Sequence, residues 1–298
     1  EESNITVIVK GFTDPALAGP LYASATKQAN KGSTISFNFD TGSPQTKEVN
    51  INGELKIISY NPESSEKEIG TTEQLESIDK ISGGKSSDYE IVGDINFSDS
   101  ENIDEIDTIG SKSDPFTGTI DGNGKIIENL KISNSSENNT GLIKYSEGAT
   151  FKNITIKDPD VDGNHSTGAL VGNSTQSTTI EDINVIGGEV DGDSYVGGVA
   201  GTQSSGSIIN ASSSSSVTAN NDDVGGIVGY SDITITDSNS SGSVSGTDEV
   251  GGLVGDSRGE IKNSESSATV SGSEDVGGLV GDKNSEDIIN SNASGTVN

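Results

Sequence analysis

Carboxylates at alternate positions before a glycine give this chain its first chemical reading. Asp158-Pro159-Asp160-Val161-Asp162-Gly163 places acids at the first, third and fifth positions of such a run. Oxygen-rich stretches with this spacing open many calcium-binding loops. A full EF-hand loop needs Glu at the twelfth position, and that position is Ala169, so an EF-hand is excluded. Further acids recur at wide, regular intervals: Asp191 and Asp193, Asp222 and Asp223, Asp248 and Glu249, Glu274 and Asp275. If the fold stacks them, like charges stand about 5 Å apart and repel unless cations intervene. The candidate metal ligands are therefore Asp158, Asp160, Asp162, Asp191, Asp193, Asp223, Glu249 and Asp275. Calcium or magnesium is the ion such a column would hold, and solvated turn carboxylates without metal are the favoured reading.

Other chemistry is thinner. His165 is the single histidine, so a Ser-His-Asp relay has one available base, and no nucleophile elbow surrounds it. Asp121-Gly122-Asn123-Gly124 reads as a tight turn, because its next ligand position is Lys125, which cannot coordinate a metal. Gly118, Gly122 and Gly124 do not link a strand to a helix as a phosphate loop requires. No catalytic residues are expected. Asn4, Asn96, Asn134, Asn138, Asn153, Asn164, Asn173, Asn210, Asn239 and Asn292 each begin an Asn-x-Ser/Thr acceptor for N-glycosylation.

What must position these groups is a repeat. The phrase Val250-Gly251-Gly252-Leu253-Val254-Gly255 returns at 276–281, 224–229 and 196–201, loosely at 167–172 and in degraded form at 139–144. Successive starts lie 28, 29, 28, 26 and 26 residues apart. A fixed period in this range is the signature of a solenoid, whose units cannot bury their apolar faces alone. Val217, Val244, Val270 and Val297 follow each phrase at a constant distance. Between them lie Ile180 and Ile183, Ile208 and Ile209, Ile233 and Ile235, Ile261, and Ile288 and Ile289. These three short, β-branched touches per unit suit strands, not helices. The expected fold is all-β, a right-handed parallel β-helix with three strands per turn. Equivalent residues would stack about 4.8 Å apart, and six or seven turns would make a rod of roughly 30 Å.

At these residues the chain resembles the GLUG-motif repeat proteins of microbial cell surfaces. The Val-Gly-Gly-Leu-Val-Gly phrase carries the resemblance, and the stretch at 115–132 is similar to the run that precedes such repeats. The match covers residues 69–298, with the repeats proper at 139–298. It implies a parallel β-helix in an extracellular, adhesin-like setting and brings no catalytic residues with it.

Composition agrees with a thin core. Only 29% of residues are apolar and the formal net charge is -30. Alone this suggests disorder, but a solenoid satisfies its backbone by stacking and needs little apolar mass per turn. Residues 1–60 hold five Lys and six acids, so nearly all the net charge falls on the repeats. Such a surface argues against nucleic acid and anionic lipid. High acidity with abundant Ser also suits saline habitats. Cys, Met and Trp are absent, which excludes disulfides and cysteine-bound zinc. No apolar run has membrane-span length, and no basic leader opens the chain, as expected of a mature terminus.

Along the chain, 1–60 is expected to form a small β-sandwich-like domain of about five strands, with an Asn52-Gly53 hairpin turn. Residues 61–68 read as a linker. A capping helix is predicted over 72–81, with Thr71 and Gln74 as a capping box and Leu75, Ile78 and Ile81 as its apolar stripe. The last repeat shows no comparable cap. An exposed end would pair with other copies of the chain, and strand 4–10 is the candidate donor. Together these features point to a secreted, non-catalytic surface protein. Its partners would be copies of itself, in a filament or sheath, or a host or cell-surface ligand. The alternative is a carbohydrate-active β-helix enzyme, which aromatic residues at 4% and a shortage of basic residues disfavour.

Overall fold

The computed structural model describes residues 67–80, 83–99, 106, 108–133, 136 and 138–298. Within the first 66 residues it describes only the strands Glu2–Thr13, Pro20–Asn30, Thr34–Phe37, Lys47–Asn50 and Ser59–Tyr60. From Lys67 onward the chain coils into a parallel β-helix. One turn runs Thr178–Ile186, Glu189–Gly192, Ser194–Gly197 and Ala200–Gln203, and the next opens with Gly206–Ser213. Each strand pairs in parallel with its counterpart one turn away.

A turn therefore holds four strands, not the expected three. The repeated phrase is itself split, with Ser194–Gly197 in one sheet and Ala200–Gln203 in another. Its central pair, such as Gly198-Val199, bends the chain between them.

Register turns the apolar touches into continuous columns. Tyr89, Ile120, Phe151, Ile180, Ile208, Ile235, Ile261 and Ile288 stand one above the next. Ile132, Val161, Val190, Val217, Val244, Val270 and Val297 form a second column. Most of these side chains are fully buried. Each stacked Ile or Val removes apolar area from water, about 1.5–3 kcal/mol per side chain. Near the start, Phe116 stacks on Phe151 at 5.6 Å between ring centroids.

Buried serines complete the cross-section and explain how so polar a chain keeps a core. At one corner the hydroxyl of Ser238 accepts a hydrogen bond from the Ala211 N–H at 3.2 Å. Ser264 and Ser291 do the same for the N–H groups of Ser238 and Ser264, at 3.2 and 3.0 Å. Each of these hydroxyls donates to the carbonyl two residues before it. Backbone groups at the bend are thus satisfied by the adjoining turn, as buried polar groups must be.

The helix covers Thr72–Lys80, and Ile81 lies outside the described residues. Gln74 N–H donates to Thr71 Oγ1 at 3.2 Å, while the Gln74 side chain accepts from Gly70 N–H at 2.7 Å. That is the expected box with its return bond moved by one residue. Leu75 and Ile78 are buried in the core that continues through the turns, as a cap requires. No helix among the described residues is long and apolar enough to cross a membrane.

The N-terminal expectations fare differently. The described strands there form two antiparallel ladders, Glu2–Thr13 with Pro20–Asn30 and Thr34–Phe37 with Lys47–Asn50. Ser59–Tyr60, expected as the fifth strand of a separate domain, instead pairs with Lys67–Ile69 at the edge of the solenoid. The predicted linker yields Lys67 and Glu68 to that strand. Residues 61–66 and the Asn52-Gly53 turn lie outside the described residues. The candidate donor strand 4–10 is paired along most of its length with 20–30, so a donated strand would have to use its other edge.

The final Gly of each phrase is set by space. A Cβ on Gly255 would lie 2.4 Å from Val224 N and 2.5 Å from Asp223 C. Gly229 and Gly281 meet the corresponding backbone at 2.5 and 2.4 Å. Gly255→Ala should therefore force two turns apart and cost about 2–3 kcal/mol. Gly124→Ala meets nothing within 4 Å and carries only its left-handed backbone cost, about 1 kcal/mol. Thermal unfolding followed by far-UV circular dichroism checks the order, with G255A the lower.

Candidate acidic site between successive turns

One unusual backbone position builds the site. Ser166, Tyr195, Asp223, Glu249 and Asp275 each directly precede a phrase, and Asn139 holds the same place in the degraded copy, because Thr140 and not Asn139 pairs with Thr167; all six have positive φ, from 42° to 64°. Register stacks them, because the residues that follow pair from turn to turn: Thr140 with Thr167, then Val196, Val224, Val250 and Val276. Left-handed backbone suits Asn and Asp but costs other residues about 1–2 kcal/mol. At Tyr195 and Glu249 the phrase's last Gly, one turn on, packs directly against this peptide.

A second column follows the phrases: Asn173, Thr202, Tyr230, Asp256 and Asp282. Each residue before a phrase faces the residue after the phrase of the next turn. At one such step Ser166 Oγ and Thr202 Oγ1 share a hydrogen bond of 2.9 Å. One step up, the rings of Tyr195 and Tyr230 meet edge-on at 6.1 Å. The next step brings Asp223 against Asp256, with Glu249 stacked beside them. Their ligand oxygens lie within 4.8 Å of one another.

Asp223 and Asp256 are 5% and 4% exposed, and Glu249 is half-buried. Asp256 is well supplied: its Oδ1 accepts from Asn284 Nδ2 at 2.8 Å, and Arg258 Nη2 stands 3.5 Å from its Oδ2. The Arg258 guanidinium lies 4.9 Å from the centre of the Tyr230 ring. Asp223 Oδ1, in contrast, has no hydrogen-bond partner. Burial, and after it the Glu249 carboxylate, pushes Asp223 up to about 8. Glu249 is raised by burial too, against a lowering hydrogen bond with Asp223, with Asp256, Asp248 and Asp282 adding repulsion.

Of the sequence candidates, only Asp223 and Glu249 meet here. Asp275 continues the column one turn on but is exposed. The 158–163 run is no loop around an ion. Asp158 sits at a left-handed corner, and Asp160–Asp162 is a strand laid between Lys131–Ser133 and Glu189–Gly192. Asp160 pairs with Lys131 at 2.9 Å. Asp191 stacks on Asp162, and burial, then Glu189, Asp162 and Asp160, raise its pKa against a lowering bond from Thr218. Asp193 accepts from Asn221 Nδ2 at 2.9 Å. His165 Nε2 is 3.9 Å from Asp193 Oδ2, beyond hydrogen-bond distance. Sequence reasoning missed Asp256. The available signal was its place after a phrase, shared with Asp282.

The sequons divide by structure. Asn153, Asp182, Asn210, Asp237, Asn263 and Asn290 form a further left-handed column at another corner. Asn153 Nδ2 donates to Asp121 Oδ1 at 3.0 Å, and Asn210 Nδ2 donates to Asp182 Oδ1. Asn138, Asn239 and Asn292 are exposed, while Asn96, Asn164 and Asn173 are half-buried. Asn134 lies outside the described residues, and of Asn4 only the backbone is described.

Fold and column together define a parallel β-helix with a polar, acid-rich exterior. No family model matches the chain. The chain is 31% identical over 244 residues to halomucin of Haloquadratum walsbyi, a match covering 70% of this chain and 2% of that protein. This chain thus spans a small fraction of the curated relative's length. Among solved structures, a candidate immunoglobulin A1 protease from Bacteroides ovatus superposes with a TM-score of 0.60 at 20% identity, covering 78% of this chain and 82% of that one. That likeness is one of fold. A second structure, an IgA1 protease, gives a TM-score of 0.48 at 16% identity, over 92% of this chain and 24% of the other.

Two expectations follow. Asp223 holds a proton when folded up to about pH 8 that the unfolded chain releases near 3.8. In the presence of chelator, stability should therefore fall as pH rises from about 4 to about 8. Asp223→Asn should flatten that component, as read by denaturant midpoints across the range. Peptide mapping after expression in a glycosylating host should find glycans at Asn138, Asn239 and Asn292 and none at Asn153 or Asn210, whose amide groups the corner ladder uses.

Proposed function

We propose that this chain is a non-catalytic β-helix segment of a secreted, cell-surface protein, and that its work is to present a stiff, acidic, hydrated surface. One observation carries the reading: the turns spend their apolar residues on the inner columns and lay Asp, Glu, Asn and Ser outward in ladders. A net charge of -30 keeps such a surface soluble and its neighbours apart, and salt screens the self-repulsion that results. The halomucin likeness, to a protein named as a mucin, supports a surface setting. The repeated phrase supports kinship with GLUG-motif proteins and an adhesive or scaffolding role.

The rival reading is a β-helix enzyme. Fold likeness to an immunoglobulin A1 protease candidate is its support, and fold alone does not transfer chemistry. The surface has a polar hollow lined by Asp237, Asn239, Asn263 and Glu265.

The test has two parts. Antibody raised against the chain should label intact source cells, and external protease should strip the label. The purified chain should leave immunoglobulin A and a panel of acidic and neutral polysaccharides uncut. Label confined to permeabilised cells, new reducing ends, or antibody fragments would each overturn the proposal.

A further inference from the structure

We propose that Asp223, Glu249 and Asp256 hold one divalent cation, of calcium size, between two successive turns of the solenoid. The proposal is independent of the surface role and rests on the site's own geometry.

The unpartnered Asp223 Oδ1 is the first support. Asp223 is 5% exposed, and a buried carboxylate oxygen with no donor is costly and rare. Spacing is the second. The three ligand oxygens lie within 4.8 Å of one another. Three protein carboxylates converging on one point suit calcium, which accepts irregular oxygen cages, whereas magnesium demands near-octahedral geometry and usually keeps several waters.

The third support comes from the same step in lower turns. There the facing residues satisfy each other, through the Ser166–Thr202 hydrogen bond or the Tyr195–Tyr230 ring contact. The fold brings these positions together whatever occupies them. Where acids occupy both, repulsion must be offset by a proton, as in the hydrogen bond between Asp223 and the stacked Glu249, or by a cation. Asp256 is preset for the role, since Asn284 and Arg258 fix its carboxylate. Glu249, on left-handed backbone directly above Asp223, supplies the third oxygen.

The experiment uses the full chain, stripped with chelator, in about 1 M sodium chloride, where the Debye length is about 3 Å and diffuse attraction is suppressed. Calcium, magnesium and terbium chlorides are titrated separately. Calorimetry should show one saturable calcium site per chain. At calcium well above its Kd the unfolding midpoint should rise by about 3 °C or more. The chain has no Trp, so terbium luminescence excited through tyrosine reports proximity to Tyr195 and Tyr230, and calcium should quench it by competition.

Asp223→Asn keeps the shape of the neutral carboxyl group, so it should fold, and it should lose the heat, the midpoint shift and the terbium signal. Glu249→Gln should weaken binding at least tenfold. Asp160→Asn, at an exposed position away from the site, should bind as the wild type does. Absence of calcium heat and midpoint shift in the wild type, or wild-type binding by both D223N and E249Q, overturns the site. Magnesium binding as tightly as calcium overturns the assignment of ion size.

Discussion

Everything in this molecule follows from stacking the chain on itself in parallel and in register. Strands lie about 4.8 Å apart in such a ladder, so a residue at a given place in the repeat meets its own counterpart above and below. A column of Ile packs, a column of Ser or Asn trades hydrogen bonds, and a column of acids repels. The fold enforces the proximity, and the residue type decides whether it stabilises or costs. Inner columns such as Ile180, Ile208, Ile235 and Ile261 are of the first kind. The corner series Ala211, Ser238, Ser264 and Ser291 is of the second.

One column of the third kind runs just before the phrases. From Ser166 through Tyr195 to Asp223, Glu249 and Asp275 the same left-handed position changes from neutral to aromatic to acidic. Strained backbone recurring at one place, and carrying residues that seldom adopt it, marks a position the surrounding structure over-determines. Here the last Gly of a phrase packs directly on this peptide. The phrase and the acidic column are therefore one device, with the glycine fixing where the carboxylate stands.

Much of this could be read from residues alone. The repeat period gave the solenoid, the Val column after each phrase paired as expected, and Thr71 with Gln74 marked the helix start. Asp223 and Glu249 were visible as recurring acids. Other parts were hidden for physical reasons. The phrase looks like a single apolar strand, and only the backbone bend at its centre divides it between two sheets. Asp256 meets Asp223 across a gap of 33 residues, through a close approach that depends on Gly255 lacking a side chain. Ser166, Tyr195 and Glu249 are poor predictors of a left-handed conformation, so nothing local announced that column. The Asp158, Asp160 and Asp162 spacing imitates a loop, but Val161 belongs to a buried column, which draws the segment into an extended strand.

The corner serines have one more consequence. Each hydroxyl answers an amide in the lap before its own, so the pattern closes on any whole number of laps. Gain or loss of a complete unit leaves every amide matched, whereas loss of a fragment strands donors at the bend. Length in such a chain is thus quantised: a gene can lengthen or shorten it by duplication, at little cost to folding, only in steps of one unit.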